Sequence, residues 1–395
     1  MGKSESAAGE PAERGRLKTR WAELHLRLLN GLRQTWRDTR PFANITIGIC
    51  LHVEPKTAVL CSVLQDGGAE VVLTGSPGTT QDDVAAALES AGVKVFTKNQ
   101  DNAAAHLENI RRVLSFKPHL LLDNGADLIA TLIGDMSEHR VLGATEETTT
   151  GGNRLREQLQ GGVPFPVIVI NDSPLKLIME NEHGVGPTVI EAFMRATNML
   201  VPSRRYTVFG YGSVGRGIAR CLRSLGGRVR VVEPDPIRAL EAALDGMRVA
   251  GADEAIMDSN VFFTATGRPG VITAERIRQL PDGAILANAG HFSWEIDVAE
   301  LKRRAKSSER PNEVIELFTL DDGRRVILLA GGEMLNLAGG GGNPIETMDL
   351  GLTLQARSLL YMAEHHKQLP HGAQPVPHEI NLDVARSMVE ELSRS

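Results

Sequence analysis

Seven polar side chains fall just past the ends of predicted strands in the first half of the chain: His52, Asp123, Asn124, Glu146, Glu147, Asn171 and Asp172. Imidazole and carboxyl groups there can carry protons, whereas the amides of Asn124 and Asn171 can only hydrogen-bond. A different signal follows at "VFGYGSVGRGIA", from Val208 to Ala219. Gly210, Gly212 and Gly215 lie between a predicted strand and a predicted helix. Glycines in that setting let the backbone approach a pyrophosphate, which rests on amides at the helix N-terminus. Glu233 ends the next strand roughly twenty residues on, where a carboxylate accepts from adenosine ribose hydroxyls. A carboxylate repels a 2′-phosphate, so the turn reads as an NAD site rather than an NADP site. Proton-handling groups therefore precede a dinucleotide turn that begins some two hundred residues into the chain.

The elements that must position these groups alternate. "ITIGICL" (45–51) reads as a buried strand, "EPKTAVLCSVLQDGG" as a helix closed by glycine, and "AEVVLTG" as the next strand. "PHLLLDN" and "FPVIVIND" add two more strands. A second alternating set starts at "RYTVFG" and continues through "RVRVVEPDP", "SNVFFTATG" and "GAILANAGH" to about residue 340. A helix over about 345–366, a loop containing "LPHGAQPVP" and a terminal helix close the chain. Strands separated by helices imply parallel sheets, with active groups beyond the carboxyl ends of the strands. The expected fold is α/β, with two doubly wound parallel-sheet domains. The second is a Rossmann NAD-binding domain inserted before a C-terminal segment that returns to the first. The expected boundaries are a disordered tail over 1–17, a substrate domain over 18–185 and 344–395, and the NAD domain over 186–343.

Composition narrows the partners. A formal charge of −6 offers no basic patch for nucleic acid or a membrane surface. Aromatic residues make up 4% of the chain, too few for a base-stacking platform. No apolar run approaches the roughly 20 residues of a membrane span. Cys50, Cys61 and Cys221 show neither disulfide nor metal-ligand spacing, which suits a reducing cytoplasm and predicts no metal site. Gly2 and Ser6 match a short myristoylation pattern of the kind that chance supplies. No signal-peptide core follows it.

The stretches "CLHVEPKTAVL", "DNGADL", "EETTTGG", "NDSPLKLIMEN", "GYGSVGRGIA", "EPDPIRALEA", "TATGRPGVIT", "NAGHFSWEID" and "LNLAGGGGNP" occur in this order. Together they resemble the S-adenosylhomocysteine hydrolases over roughly residues 20–385. The sequence ends like the short-tailed branch found in archaea and thermophilic bacteria. The resemblance implies a nucleoside substrate, a homodimer or homotetramer, and an NAD that is not consumed. In such enzymes a ribose 3′-hydroxyl is oxidised, the 5′ substituent leaves across C4′–C5′, water adds, and the ketone is reduced again. It places Lys176 at the 3′-hydroxyl beside Glu180 and Asn181, Glu147 at the 2′-hydroxyl, and His52 and His291 at the 5′ position. Thr148, Thr149, Thr150, Thr266, Asn288 and Asn336 would face NAD, with Asn336 at the nicotinamide carboxamide. Glu54, Lys56, Thr57 and Asn343 would surround the base. Taken singly, Lys176 would read as a surface lysine and His52 as a core histidine.

Three positions and one short stretch depart from the family pattern. Asn124 stands where the second of two aspartates would move a proton, Glu180 replaces aspartate, Asn343 replaces histidine in "G-H-P", and Val185–Gly186–Pro187 replaces a more polar stretch. Glu54 and Lys56 suit either a 6-oxopurine or adenine. Losing a proton-carrying group costs about 10²–10⁴-fold in its step. The departures therefore favour a diverged nucleoside enzyme, in its simplest form a 4′,5′-dehydratase. The alternatives are hydrolysis of S-adenosyl- or S-inosylhomocysteine, and a non-catalytic NAD-binding regulator.

Overall fold

The structure, a computed structural model, describes residues 5–76, 78–135, 140–157, 159, 162–290 and 293–394. Strands β1 (Thr46–Leu51), β2 (Glu70–Gly75), β3 (Lys94–Phe96), β4 (Leu120–Asp123), β5 (Gly143–Glu146) and β6 (Pro166–Val169) come first. They are followed by β7 (Arg205–Phe209), β8 (Arg228–Val232), β9 (Arg248–Val249), β10 (Val261–Thr264) and β11 (Ala284–Asn288). The last are β12 (Ala305–Glu309), β13 (Ile315–Leu320), β14 (Arg325–Leu329) and β15 (Gly372–Pro375).

The chain folds as two compact units, 1–176 with 345–395 and 177–344. The first carries a seven-stranded sheet in the order β15-β6-β5-β4-β1-β2-β3, parallel throughout. β1 and β4 are buried along their whole lengths, as strands covered on both faces must be. Val113, Leu114, Leu128, Ile129 and Leu132 from two helices pack with Leu121 and Val167 on one face. Strand order reverses between β1 and β4, and groups beyond their carboxyl ends therefore sit at a switch point.

The second unit's sheet runs β12-β13-β14-β11-β10-β7-β8-β9. From β9 to β14 it is a parallel dinucleotide-binding sheet whose order reverses between β7 and β10. β13 and β12 extend it antiparallel. That edge was not visible in the sequence.

Three expectations are corrected. Residues 5–17 are not a tail, because Glu5–His25 is one helix. Gly15 explains how it docks: a Cβ there would stand 2.0 Å from the Asp83 carbonyl oxygen, so only glycine lets it meet helix Asp82–Ser90. Lys18 pairs with Asp83 at 2.7 Å across the same contact. Second, the units part at Lys176 rather than after residue 185, since Lys176–Val185 winds as a π-helix that runs straight into helix Gly186–Thr197. Third, part of the expected loop near residue 370 is β15, an edge strand paired with β6.

Candidate functional site

Each unit carries polar residues beyond the carboxyl ends of its central strands. In the first unit, Glu54 occupies the N-cap position of helix Pro55–Asp66, yet its side chain does not cap. It turns instead to Lys56, 2.7 Å away, and both are 5% exposed. Burial pushes the Glu54 carboxyl upward, opposed by the Lys56 ammonium. Thr57 donates to the His52 carbonyl at 2.7 Å. His52 Nδ1 lies 2.8 Å from the Thr79 hydroxyl, which spends its hydrogen on the Ser76 carbonyl at 3.0 Å. Nδ1 must then donate, so the neutral ring carries its proton there and its lone pair on Nε2.

Past β4 and β5 the structure gives Glu146 and Glu147 different surroundings. Glu146 is fully buried and accepts from the amides of Gly125, Ala126 and Thr148 at 2.8–2.9 Å and from the Thr148 hydroxyl at 2.7 Å. It thereby holds Ala126 at φ +61°, a left-handed conformation that alanine rarely adopts. Gly151 has to be glycine, because a Cβ there would lie 2.1 Å from Glu146 Oε1. Thr148 also receives the Gly151 amide at 2.9 Å, capping helix Thr149–Glu157. Its hydroxyl is thus committed inside the first unit, and that of Thr149 receives the Asn171 amide at 2.7 Å. Thr150 follows in the first turn of the same helix. Asp172 pairs with Arg156 toward solvent.

Glu147 faces different partners. One carboxylate oxygen meets the Lys176 ammonium and the other the Gln355 amide. Lys176 is 3% exposed, the reverse of a surface lysine. Asn124 is buried, and its Oδ1 has no hydrogen-bond partner among the described residues. Beside it, Asp123 accepts from the amides of Asn124 and Ile129, each at 2.9 Å. Burial and the charge of Asp127 push Asp123 up to about 6. Burial and the charge of Asp123 push Glu146 up to about 8.

In the second unit the glycine turn leaves β7. Gly210 adopts φ +95°, and Gly215 lies so close beneath it that a Cβ would stand 2.1 Å from the Gly210 carbonyl oxygen. Gly212 is the N-cap residue of helix Ser213–Ser224, with no side chain before the first helical amides. Glu233, after β8, accepts from the Tyr211 amide at 2.6 Å and the Asp235 amide at 2.9 Å, which fixes its carboxylate at the turn. A glycine-built cradle at a helix N-terminus with a carboxylate beside it fits NAD. Beyond β10, Thr266 and Gly267 are held by buried Glu295 at 2.7–3.2 Å. Asn288 closes the turn after β11, accepting from Thr264 and Gly290 at 2.9 Å each and donating to the Gly290 carbonyl at 3.0 Å. Glu180 and Asn181 lie on the π-helix, Glu180 buried and Asn181 half-buried. Asn343 donates to Glu180 at 3.2 Å and accepts from Asn336 at 3.0 Å. His291 lies outside the described residues.

Comparison with known proteins agrees. The family model of the NAD-binding domain of S-adenosyl-L-homocysteine hydrolase matches residues 181–342, and that of S-adenosyl-L-homocysteine hydrolase itself matches 8–141. An S-inosyl-L-homocysteine hydrolase from Methanopyrus kandleri is 44% identical over 96% of this chain and 91% of its own. The chain belongs to the S-adenosyl-L-homocysteine hydrolase family. An adenosylhomocysteinase from Archaeoglobus fulgidus is 43% identical, over 95% of this chain and 93% of its own. Another, from Thermotoga maritima, is 41% identical over 96% and 95%. The protein is accordingly an NAD-dependent enzyme of the adenosylhomocysteinase family.

Sequence reasoning missed three groups of this hydrolase-family chain. Gln355 could have been found as the lone amide in the apolar helical run "LGLTLQARSLL". Glu295 and the internal role of Glu146 left no such signal, since most of their partners are backbone amides. Glu233 carries a prediction. Glu233→Ala lowers NAD affinity about tenfold and brings a strong preference over NADP to within about tenfold, read by calorimetry with both cofactors. Equal affinities in the unmodified protein would contradict the assignment.

Proposed function

We propose that this enzyme cleaves a purine nucleoside 5′-thioether, of the S-adenosyl- or S-inosylhomocysteine class, by oxidation, elimination, water addition and reduction. The observation that carries the reading is the buried Lys176–Glu147–Gln355 cluster. Lys176 can pass one ammonium proton to the Glu147 carboxylate it is bonded to, and the amine that remains can take the proton released when a ribose 3′-hydroxyl becomes a ketone. NAD, when bound, supplies the hydride acceptor. The ketone acidifies the C4′ proton, and its loss expels the 5′ sulfur. His52, protonated on Nδ1 when neutral, has an Nε2 lone pair suited to proton transfer at the 5′ end. Glu54 and Lys56 offer the base an acceptor and a donor side by side. A 6-oxopurine would give N1–H to Glu54 and take Lys56 at O6, and adenine would take Lys56 at N1 and give its amino group to Glu54. The printed names of the relatives include both bases.

Asn124 favours a second reading. Its unpartnered Oδ1 can accept from a hydroxyl but cannot carry a proton, which suits loss of water to give a 4′,5′-unsaturated nucleoside. Product analysis after incubation with adenosine and inosine thioethers and with sulfur-free nucleosides separates the two. Free homocysteine supports the thioether reading. An unsaturated nucleoside with no homocysteine replaces it with the second.

A further inference from the structure

Two of the residues that depart from the family pattern, Glu180 and Asn343, are hydrogen-bonded to each other, and Asn343 continues to Asn336. An asparagine amide can face either way, and its neighbours decide which end is oxygen. Here a carboxylate decides. Ionised Glu180 can only accept, so Asn343 must turn its NH₂ toward it. The Asn343 oxygen is then left to accept, so Asn336 must supply its own NH₂, as the 3.0 Å contact requires. Thr188 reinforces this polarity. Its hydroxyl donates to the Gly184 carbonyl at 2.9 Å, so its oxygen can only accept from Asn336, at 3.5 Å. Both Asn336 hydrogens are thus spent within the second unit. Its Oδ1 is buried, in a residue 1% exposed, with no partner among the described residues.

The loop above holds Asn336 in place. The Gly342 amide donates to the Asn336 carbonyl at 2.8 Å, and a Cβ on Gly340 would stand 2.5 Å from that oxygen. A backbone bridge between Asn288 and Met334 ties this segment to the end of β11. Glu233 and β8 mark the adenosine side of the glycine turn, and β10 and β11 lie on the other side of β7. The nicotinamide half of NAD belongs on that other side. Its donor there is the carboxamide NH₂.

We propose that Asn343 is a positioning residue that transmits the polarity of Glu180 to Asn336, so that the cofactor site presents a buried acceptor and selects a dinucleotide whose pyridine substituent donates a hydrogen bond. The inference rests on the NAD assignment and deepens it.

The test is equilibrium binding, independent of turnover. NAD is compared with 3-acetylpyridine adenine dinucleotide, in which a methyl replaces the amide NH₂. The unmodified protein binds the analogue about 10- to 100-fold more weakly, because it leaves the Asn336 oxygen buried and unpaired. Asn343→Ala frees the Asn336 amide to turn over, and discrimination falls to within about threefold. Adding Asn336→Asp to that variant restores it, since a carboxylate accepts whichever way it faces. Asn343→Ala with undiminished discrimination would overturn the proposal, as would failure of the added aspartate to restore it. An unmodified protein that binds neither dinucleotide would instead refute the NAD assignment.

Discussion

Lys176→Ala slows substrate-driven reduction of the cofactor by about 10³-fold while leaving NAD affinity within about threefold of the unmodified protein. The loss is large because oxidation of a secondary hydroxyl cannot proceed unless its proton has somewhere to go. The buried Lys176–Glu147 pair is fitted for that transfer, Glu147 taking a proton from Lys176 and the freed amine taking the hydroxyl's. NAD affinity is spared because the glycine turn belongs to the other unit. Removing the ammonium leaves Glu147 buried with Gln355 as its remaining described partner, which costs about 3–5 kcal/mol of stability. Lys176→Ala with Glu147→Gln removes both charges and recovers most of that stability. It does not recover cofactor reduction. Single-turnover absorbance of the reduced cofactor, alongside urea unfolding, reads both effects. Reduction at the normal rate in either variant would assign the proton to another group.

Asn124→Asp destabilises the fold by about 3 kcal/mol at pH 8 and by little at about pH 4. The substitution adds a third carboxyl group beside buried Asp123 and near Glu146, whose carboxyls are already raised. For such groups the folded pKa lies above the unfolded one. Their contribution is whole below the ordinary carboxylate range and is lost as pH rises through the raised values. The unmodified protein therefore loses stability as pH rises through about 6 and on through about 8. The variant loses more over the same window. Urea titrations at both pH values measure the difference. A variant as stable as the parent at pH 8 would show that the Asn124 site is open to water or already supplied with a cation.

Much of this was legible because burial writes itself into sequence. β1, β4, β10 and β11 are apolar runs closed by polar residues, β7 is one closed by the glycine turn, and each was read in place. The glycine turn was readable because it needs residues without side chains at fixed offsets. β5, "GATE", was anticipated only through Glu146 and Glu147 at its end, since four residues with one glycine carry no periodicity. The N-terminal helix was hidden by its composition. Its small and charged residues look unstructured until Gly15 is seen to meet helix Asp82–Ser90. The departures at Glu180 and Asn343 were visible one at a time. Their hydrogen bond was not, because 163 positions separate them in the chain.

The most direct test of oxidation-driven thioether cleavage mixes the NAD-loaded enzyme with S-adenosyl- and S-inosylhomocysteine, following reduced cofactor and free homocysteine in one experiment. The expected result is a transient rise in reduced cofactor and stoichiometric release of homocysteine from at least one thioether, with both signals abolished by Lys176→Ala. Homocysteine released with no reduced cofactor at any time, or no reduction by any nucleoside, would contradict it.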